Sequence, residues 1–140
     1  MNDKYKIVLN YIKDLSVEIS DPETLITSRN HIAKYEMKVN ISSKPLKLKM
    51  LEVTTKLTYV DPTNNKHKAF FEIVYATVID ILDSQLKKKD LEKIILCDLQ
   101  IEIYPELEKK FLTILRNSGF PSLEFGQKID FEKLYKERLN

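Results

Sequence analysis

The stretch KAFFEIVYATVIDI, Lys68–Ile81, is the longest apolar run of the chain and is rich in β-branched and aromatic residues. This composition is typical of a β-strand, in which alternate side chains point to opposite faces. One face would carry Phe71, Ile73, Tyr75, Thr77 and Ile79, and the other Phe70, Glu72, Val74, Ala76 and Val78. Because both faces are mostly apolar, both must be buried. The cover is either helices of the same domain or a partner subunit or client, and the pattern leaves both possibilities open.

Two further stretches upstream alternate with the period of a strand. Tyr5–Ile19 predicts a first strand, and Ala33–Ser43 predicts a second, followed by a turn at Ser42–Pro45. The first strand would be half-buried, with one polar, acidic face. That face would carry Ile12, Asp14, Ser16 and Glu18, and the other Tyr11, Lys13, Leu15, Val17 and Ile19. Between the two strands, Asp21-Pro22 breaks the alternation and residues 21–32 show no period, which predicts an irregular excursion.

A third strand is predicted over Lys47–Val60, and its apolar positions change phase at Met50–Leu51. A one-residue slip moves every following side chain to the opposite face. We therefore expect a β-bulge near these two residues. Residues 61–65 predict a hairpin loop that leads into the opening stretch, which is the fourth strand.

After Asp83 the apolar period changes to that of a helix. Pro105 should kink or restart this helix, because it lacks a backbone donor. Gly119 follows the expected helix end, and Asp130 can cap a final helix over Phe131–Leu139. Strands followed by helices indicate an α+β fold. The predicted fold is a four-stranded antiparallel sheet with a long, proline-interrupted helix pair on one face and a C-terminal helix.

Length and composition limit the classes of protein. The 140 residues predict a single domain, 1–140, and 23 basic against 21 acidic side chains leave a net charge of +2. This balance argues against nucleic acid and membrane-surface partners. The chain has no apolar run of the ~18–20 residues needed for membrane insertion, and its start lacks a signal-peptide pattern. A single cysteine, Cys97, excludes an internal disulfide and favours a reducing cytoplasm.

Reactive residue sets are not suggested anywhere in the sequence. His31 and His67 fall in predicted loops without ligands at metal spacing, and Cys97 fits a buried thiol on a helix. Asp14 and Glu18 would lie roughly 13 Å apart along a strand, too far for joint acid–base work on one bond. We therefore expect no enzyme activity, no metal and no cofactor.

Three stretches together resemble one family, the bacterial protein-export chaperone SecB. YIKDLSVE (Tyr11–Glu18) is similar to the family's first-strand motif, and FFEIVYATV (Phe70–Val78) to its central strand. Ile103–Leu123, with its two Pro-containing segments, and the following IDFEKLY (Ile129–Tyr135) are similar to its C-terminal part. The order and spacing agree over nearly the whole chain.

The resemblance implies a function and an assembly. SecB-type chaperones hold newly made precursor proteins unfolded in the bacterial cytoplasm without ATP, and deliver them to the SecA ATPase. They are homotetramers built as dimers of dimers, with long helices between the dimers. The alternative is a SecB-like chaperone dedicated to one client, such as the antitoxin of a toxin–antitoxin system.

The resemblance also implies site residues. Asp14, Glu18, Phe70 and Glu72 match the family's SecA-contacting positions. If their strand faces coincide, they form an acidic patch with an apolar centre, suited to a basic partner. Candidates for the client-binding groove are Tyr35, Met37, Phe71, Ile73 and Tyr75, each of which also fits an ordinary core position. The chain departs from the family at Thr77, where a glycine is usual, and in its basic net charge.

Overall fold

The computed structural model describes residues 3–126 and 128–139. Its centre is one antiparallel sheet of four strands in the order β1-β4-β3-β2. The strands are β1 (Tyr5–Glu18), β2 (Glu36–Pro45), β3 (Met50–Val60) and β4 (Phe70–Ile81). Helices pack on one side of this sheet, called here the helix face, and the opposite side is called the outer face. The α+β architecture predicted from the sequence is confirmed.

The segment after β1 is a helix, α1 (Pro22–His31), followed by a 3₁₀ turn at Ile32–Lys34. The prediction of an irregular excursion was therefore wrong. The Thr24 backbone N–H donates to the Asp21 carboxylate at 2.7 Å, and Pro22 occupies the first turn. Asp21-Pro22 thus starts a helix, because an Asp cap and a first-turn proline both suit a helix N-terminus.

The β2–β3 connection lies later than predicted. β2 continues to Pro45 and β3 begins at Met50, so the turn spans residues 46–49 rather than Ser42–Pro45. Glu36–Pro45 pairs with Leu51–Val60 in uninterrupted register, so the predicted bulge at Met50–Leu51 was wrong. The phase change marks the hairpin turn itself, in which Leu48 has a φ of 62° and a side chain that is 93% exposed.

Register shifts occur instead in β1, between Ile7 and Leu9 and between Ile12 and Asp14. Val8 and Lys13 are therefore extra residues relative to β4. Each bulge reverses the alternation, so the segment between them is inverted with respect to both ends of the strand. This corrects the predicted faces of β1. Tyr11, opposite Ala76, lies on the outer face together with Asp14, Ser16 and Glu18, whereas Ile12, opposite Tyr75, lies on the helix face with Leu15 and Val17.

One helical stretch follows β4. It comprises α2 (Lys88–Lys93), a π-helical segment (Ile94–Asp98) and α3 (Leu99–Asn117). The Leu99 N–H donates to the Ile94 carbonyl, five residues back. The buried Gln100 amide donates to the Ile95 carbonyl at 3.1 Å and accepts from the Thr55 hydroxyl at 3.0 Å. The irregularity thus lies upstream of Pro105, and α3 continues through Pro105, which is on its exposed side.

The core lies between the helix face of the sheet and α3. α3 contributes a stripe of side chains that are at most 5% exposed, at the four-residue spacing of one helix face: Leu99, Ile103, Leu107, Phe111 and Leu115. Phe71 contacts Phe120 edge-to-face with ring centroids 5.4 Å apart, and Tyr104 contacts Phe131 at 5.3 Å. On this side, the domain's own helices and C-terminal segment cover β4.

The chain after α3 is fixed at two points. Gly119 has a φ of 115°, and an added Cβ would lie 2.8 Å from Leu25 Cδ1, so glycine suits this helix end. Arg29 Nε donates to the Gly119 carbonyl at 2.7 Å, which ties α1 to this end. The predicted cap of α4 (Phe131–Leu139) is confirmed, because the Lys133 N–H donates to the Asp130 carboxylate at 3.1 Å. The side chain of Leu139 lies outside the described part.

Within residues 3–126 and 128–139, no helix is long and apolar enough to cross a membrane.

Candidate partner and client surfaces

The four residues predicted to contact SecA lie together on the outer face. Glu18 is the cross-strand partner of Phe70, and Ser16 is the partner of Glu72. Asp14 follows on the same side, opposite Val74. Asp14 and Glu18 are exposed, whereas Phe70 and Glu72 are half-buried. We call Asp14, Glu18, Phe70 and Glu72 the acidic patch.

Glu72 is held in place from the neighbouring strand. The Thr58 hydroxyl of β3 donates to Glu72 Oε2 at 3.1 Å. Thr58 and Glu72 are cross-strand partners, so this bond runs across the sheet surface. The Glu72 carboxylate therefore has a fixed position while part of it still faces solvent.

A further carboxylate on the outer face, Glu52 of β3, was not found from the sequence. It is only 7% exposed, and it accepts hydrogen bonds from Tyr11 Oη at 2.6 Å and from Lys13 Nζ at 2.7 Å. These bonds cross β4 near Ala76, whose side chain is 0% exposed. The bonds from Lys13 and then Tyr11 lower the pKa of the Glu52 carboxyl, and Glu52 raises the pKa of Lys13 and of Tyr11.

Four of the five residues predicted to line a client groove are core residues of this chain. Phe71, Ile73 and Tyr75 lie on the helix face of the interior strand β4 and are 0%, 0% and 4% exposed. Tyr35 is 6% exposed, and its hydroxyl accepts from the Ala69 N–H at 3.0 Å. Phe71, Ile73 and Tyr75 are therefore covered by the helices and C-terminal segment of this chain. Met37 is partly exposed.

An accessible apolar surface runs along the helix face of edge strand β2 towards α4. Three depressions of about 250, 430 and 200 Å³ follow one another and share Met37 and then Val39 and Leu134. Leu134 is 48% exposed. We call the apolar residues that line them the β2 groove: Met37, Val39, Ile41, Phe125, Ile129 and Leu134. The regular alternation of residues 33–43 had identified the β2 side of this surface.

Charged side chains of both signs border the β2 groove. They include Lys34, Glu36, Lys128, Asp130, Lys133, Glu137 and Arg138. The mixture gives no strong preference for a ligand of one sign. An apolar channel with such a border suits chains that share exposed apolar side chains rather than one charge pattern.

The outer edge of β1 is a third exposed surface. β1 is at one end of the strand order, and six of its large apolar side chains are between 38% and 49% exposed: Val8, Leu9, Tyr11, Ile12, Leu15 and Val17. A long edge strand with this much apolar surface is a ready template for pairing with another chain.

The described residues contain no group of three or more His, Cys, Asp or Glu side chains placed to hold a metal ion. Cys97 is 2% exposed, as expected for a helix-buried thiol, and burial raises its pKa. A raised pKa disfavours the reactive thiolate.

Comparison with known proteins gives one consistent family. The family model for the preprotein translocase subunit SecB matches residues 1–140. A chain of Pelagibacter ubique, provisionally named protein-export protein SecB, is 44% identical over 140 residues and covers 100% of both chains. The protein-export protein SecB of Bradyrhizobium diazoefficiens is 24% identical over 133 residues, covering 95% of this chain and 81% of the other.

Among solved structures, the fold is similar to that of a Mycobacterium tuberculosis SecB-like chaperone in complex with a ChAD peptide from an antitoxin. The TM-score is 0.65 at 10% identity, over 89% of this chain and 91% of the other. At this identity the likeness shows the fold alone. With the family match over its whole length, the chain belongs to the SecB family of protein-export chaperones, which are not enzymes.

Proposed function

We propose that this protein is an ATP-independent holdase of the bacterial cytoplasm that keeps precursor proteins unfolded and delivers them to SecA. The observation that carries the proposal is the placement of two different surfaces on one sheet. The β2 groove is apolar and lies on the helix face, whereas the acidic patch lies on the outer face. Client and motor can then bind at the same time.

The β2 groove is the proposed client site. It replaces the buried Phe71, Ile73 and Tyr75 as the surface a client would contact, and it retains Met37 from the predicted set. Because β2 is an edge strand, an extended client could also pair with its backbone while placing side chains in the depressions. Such binding requires an unfolded segment and no nucleotide.

The acidic patch is the proposed SecA site. It combines three carboxylates with the half-buried ring of Phe70, which suits a basic partner segment with an apolar contact at its centre. Exposed carboxylates of this kind would speed and orient association more than they would strengthen it.

The β1 edge is the proposed site of self-association. Pairing of β1 with a second copy would cover its exposed apolar side chains and extend the sheet. The outward side of α3 carries Ile101, 47% exposed, which offers a further contact between two dimers. The proposed assembly is a homotetramer, a dimer of dimers.

Dilution of a urea-unfolded precursor into buffer without ATP tests the holdase function by light scattering. We expect the protein to suppress scattering at about one assembly per client. Leu134→Glu, which places a charge in the β2 groove, should weaken the suppression. Leu48→Glu introduces the same change on an exposed turn outside the groove and is the matched control. Unchanged scattering with several unrelated precursors would contradict a general export role and favour the dedicated-client alternative.

The SecA site is tested separately. Asp14→Ala or Glu72→Ala should weaken SecA binding, measured by titration, while the circular dichroism spectrum and the urea midpoint change little. Unfolding of both variants would show that these residues serve the fold, and intact binding by both would exclude the acidic patch as the SecA site.

A further inference from the structure

We infer that Tyr11, Lys13 and Glu52 act as a register clamp, a set of positioning residues that fixes β1 against β4 and thereby sets the geometry of the acidic patch. This inference concerns the structure of the proposed SecA site and, in its functional consequence, rests on the proposed function. It follows from the bulges of β1, the hydrogen bonds of Glu52 and the burial of that carboxylate.

The hydrophobic pattern of β1 permits two registers. A straight strand without bulges would start with Tyr5 opposite Ile81, as observed, and would then place Asp14 rather than Ser16 opposite Glu72. This register differs from the observed one by two residues at the C-terminal half of the strand. Because strand side chains alternate with a period of two, Leu15 and Val17 would still face the helices. The face on which these two side chains lie therefore does not choose between the registers.

The segment between the bulges does distinguish them. In the observed register, Tyr11 and Lys13 reach across β4 to the two oxygens of Glu52, at 2.6 and 2.7 Å. In a straight strand, the odd-numbered residues of β1 would all face the helices, as Tyr5 and Ile7 do, so neither side chain would reach Glu52. Glu52, only 7% exposed, would then lose both donors, which is costly for a nearly buried carboxylate.

The strand between the two partners leaves room for the clamp. Ala76 lies opposite Tyr11 on β4. Its side chain is a single methyl group and is 0% exposed. A larger side chain at this position would stand between Tyr11 and Glu52. The side chains of the clamp thus cover the middle of the outer face.

The register of β1 sets the spacing between the residues of the acidic patch. The observed register places Glu18 opposite Phe70 and Ser16 opposite Glu72. A two-residue slip would move Asp14 and Glu18 by about 6.8 Å along β4. The same four residues would remain on the outer face, but their spacing would no longer match a partner that fits the observed one.

Pairs of engineered cysteines report the register directly and without SecA. Ser16→Cys with Glu72→Cys should form a disulfide in the observed register, and Asp14→Cys with Glu72→Cys in the straight one. The diagonal pair in each register is about 7–8 Å apart, at or beyond the limit for a disulfide. Each cysteine pair is also combined with Glu52→Gln or with Lys13→Ala. In these backgrounds we expect the second pair, rather than the first, to give the higher yield of disulfide. Lys13→Arg should retain the first pair.

Matched control variants distinguish a shift of register from unfolding of the chain. Tyr11→Phe removes a single hydroxyl and should give a partial shift. Lys38→Ala removes an exposed lysine from the outer face of β2 and should leave the first pair dominant. Sedimentation verifies that all variants keep the same assembly. Exclusive formation of the first pair in every folded clamp variant would overturn the inference.

For SecA affinity, the effect expected from the loss of a lysine charge and the effect expected from loss of the clamp have opposite signs. Removing a lysine from an acidic surface should strengthen attraction to a basic partner, and Lys38→Ala should bind SecA as tightly as the unmodified chain or more tightly. If the clamp sets the spacing, Lys13→Ala should instead bind about tenfold more weakly, the loss of two surface charge contacts. A register shift with unchanged SecA affinity would uphold the clamp and overturn the assignment of the acidic patch to SecA.

Discussion

The two faces of β4 are buried by different means. On the helix face, Phe71, Ile73 and Tyr75 are at most 4% exposed beneath α3 and the C-terminal segment. On the outer face, Ala76 is equally buried, but side chains of the flanking strands cover it. The apolar content of a strand therefore shows that it needs cover without showing what the cover is. Matched substitutions on the two faces, with the β2–β3 turn as a reference, test this contrast.

Truncation of two adjacent phenylalanines on β4 should give the largest difference. Phe71→Ala leaves a cavity in a closed core and should cost about 3–5 kcal/mol of unfolding free energy. Phe70→Ala affects a half-buried ring on the outer face and should cost about 1 kcal/mol. Urea unfolding measures both. Equal losses would show that the outer face is as tightly packed as the core.

Removal of a buried hydrogen-bonding side chain should have the next largest effect. Gln100→Ala would leave the Thr55 hydroxyl and the Ile95 carbonyl without their buried partner and should cost about 2–3 kcal/mol. On the outer face, Thr58→Val removes the hydrogen bond to Glu72, which water can replace, and should cost about 0.5–1 kcal/mol. A larger loss for Thr58→Val in urea unfolding would contradict the contrast between the two faces.

The β2–β3 turn belongs to neither face and provides a baseline. Leu48→Asn should stabilise the fold by about 1 kcal/mol, because a leucine is strained at a φ of 62° whereas asparagine tolerates it. Lys47→Asn changes a neighbouring residue of the same exposed turn and should give no gain. Thermal and urea unfolding measure both variants. No gain for Leu48→Asn, or an equal gain for Lys47→Asn, would contradict strain at Leu48.

Acid should weaken the outer face through Glu52. Its pKa is held below the usual 4.5, so its contribution to stability is full above the unfolded pKa and is lost as the pH falls through the folded value. The contribution of Lys13 to stability has the opposite pH dependence. Because its pKa is raised, this contribution is full below the usual value of 10.5 and is lost as the pH rises through the folded pKa. The urea midpoint of Glu52→Gln should therefore fall less between about pH 6 and pH 3 than that of the unmodified chain. If the urea midpoints of the two proteins fell equally over this pH range, the result would contradict this small effect.

Long periodic patterns were sufficient to predict the fold class. The alternation in β2 and β4, the helical stripe after Asp83 and the cap at Asp130 all identified elements that the structure contains. Where the prediction failed, the signal was short or had two meanings. Asp21-Pro22 breaks a strand and also starts a helix, and the phase change before Leu51 marks a bulge or a turn equally well.

The candidate site was predicted less completely. The register of β1 and β4 brings Asp14, Glu18, Phe70 and Glu72 to one face, which the sequence had left as an open condition. The hydrogen bonds of Glu52 reach Tyr11 and Lys13, which lie 41 and 39 positions earlier in the chain, and no local pattern reveals such contacts. The apolar side chains of β4 left open whether helices of the same domain or a partner cover them, and they did not indicate that the open groove lies along β2.

The π-helical segment Ile94–Asp98 has a consequence for how this chain is aligned with its relatives. A widened turn accommodates one more residue than a regular helix would place there. Deleting one residue in this segment would restore a regular turn and keep both α2 and α3 on their present faces, whereas a regular turn without a deletion would rotate α2 by about 100° around the helix axis. Sequences in which this turn is a regular α-helix should therefore require a single-residue gap between positions 94 and 98, and an ungapped alignment would assign the wrong surface to Lys88–Lys93.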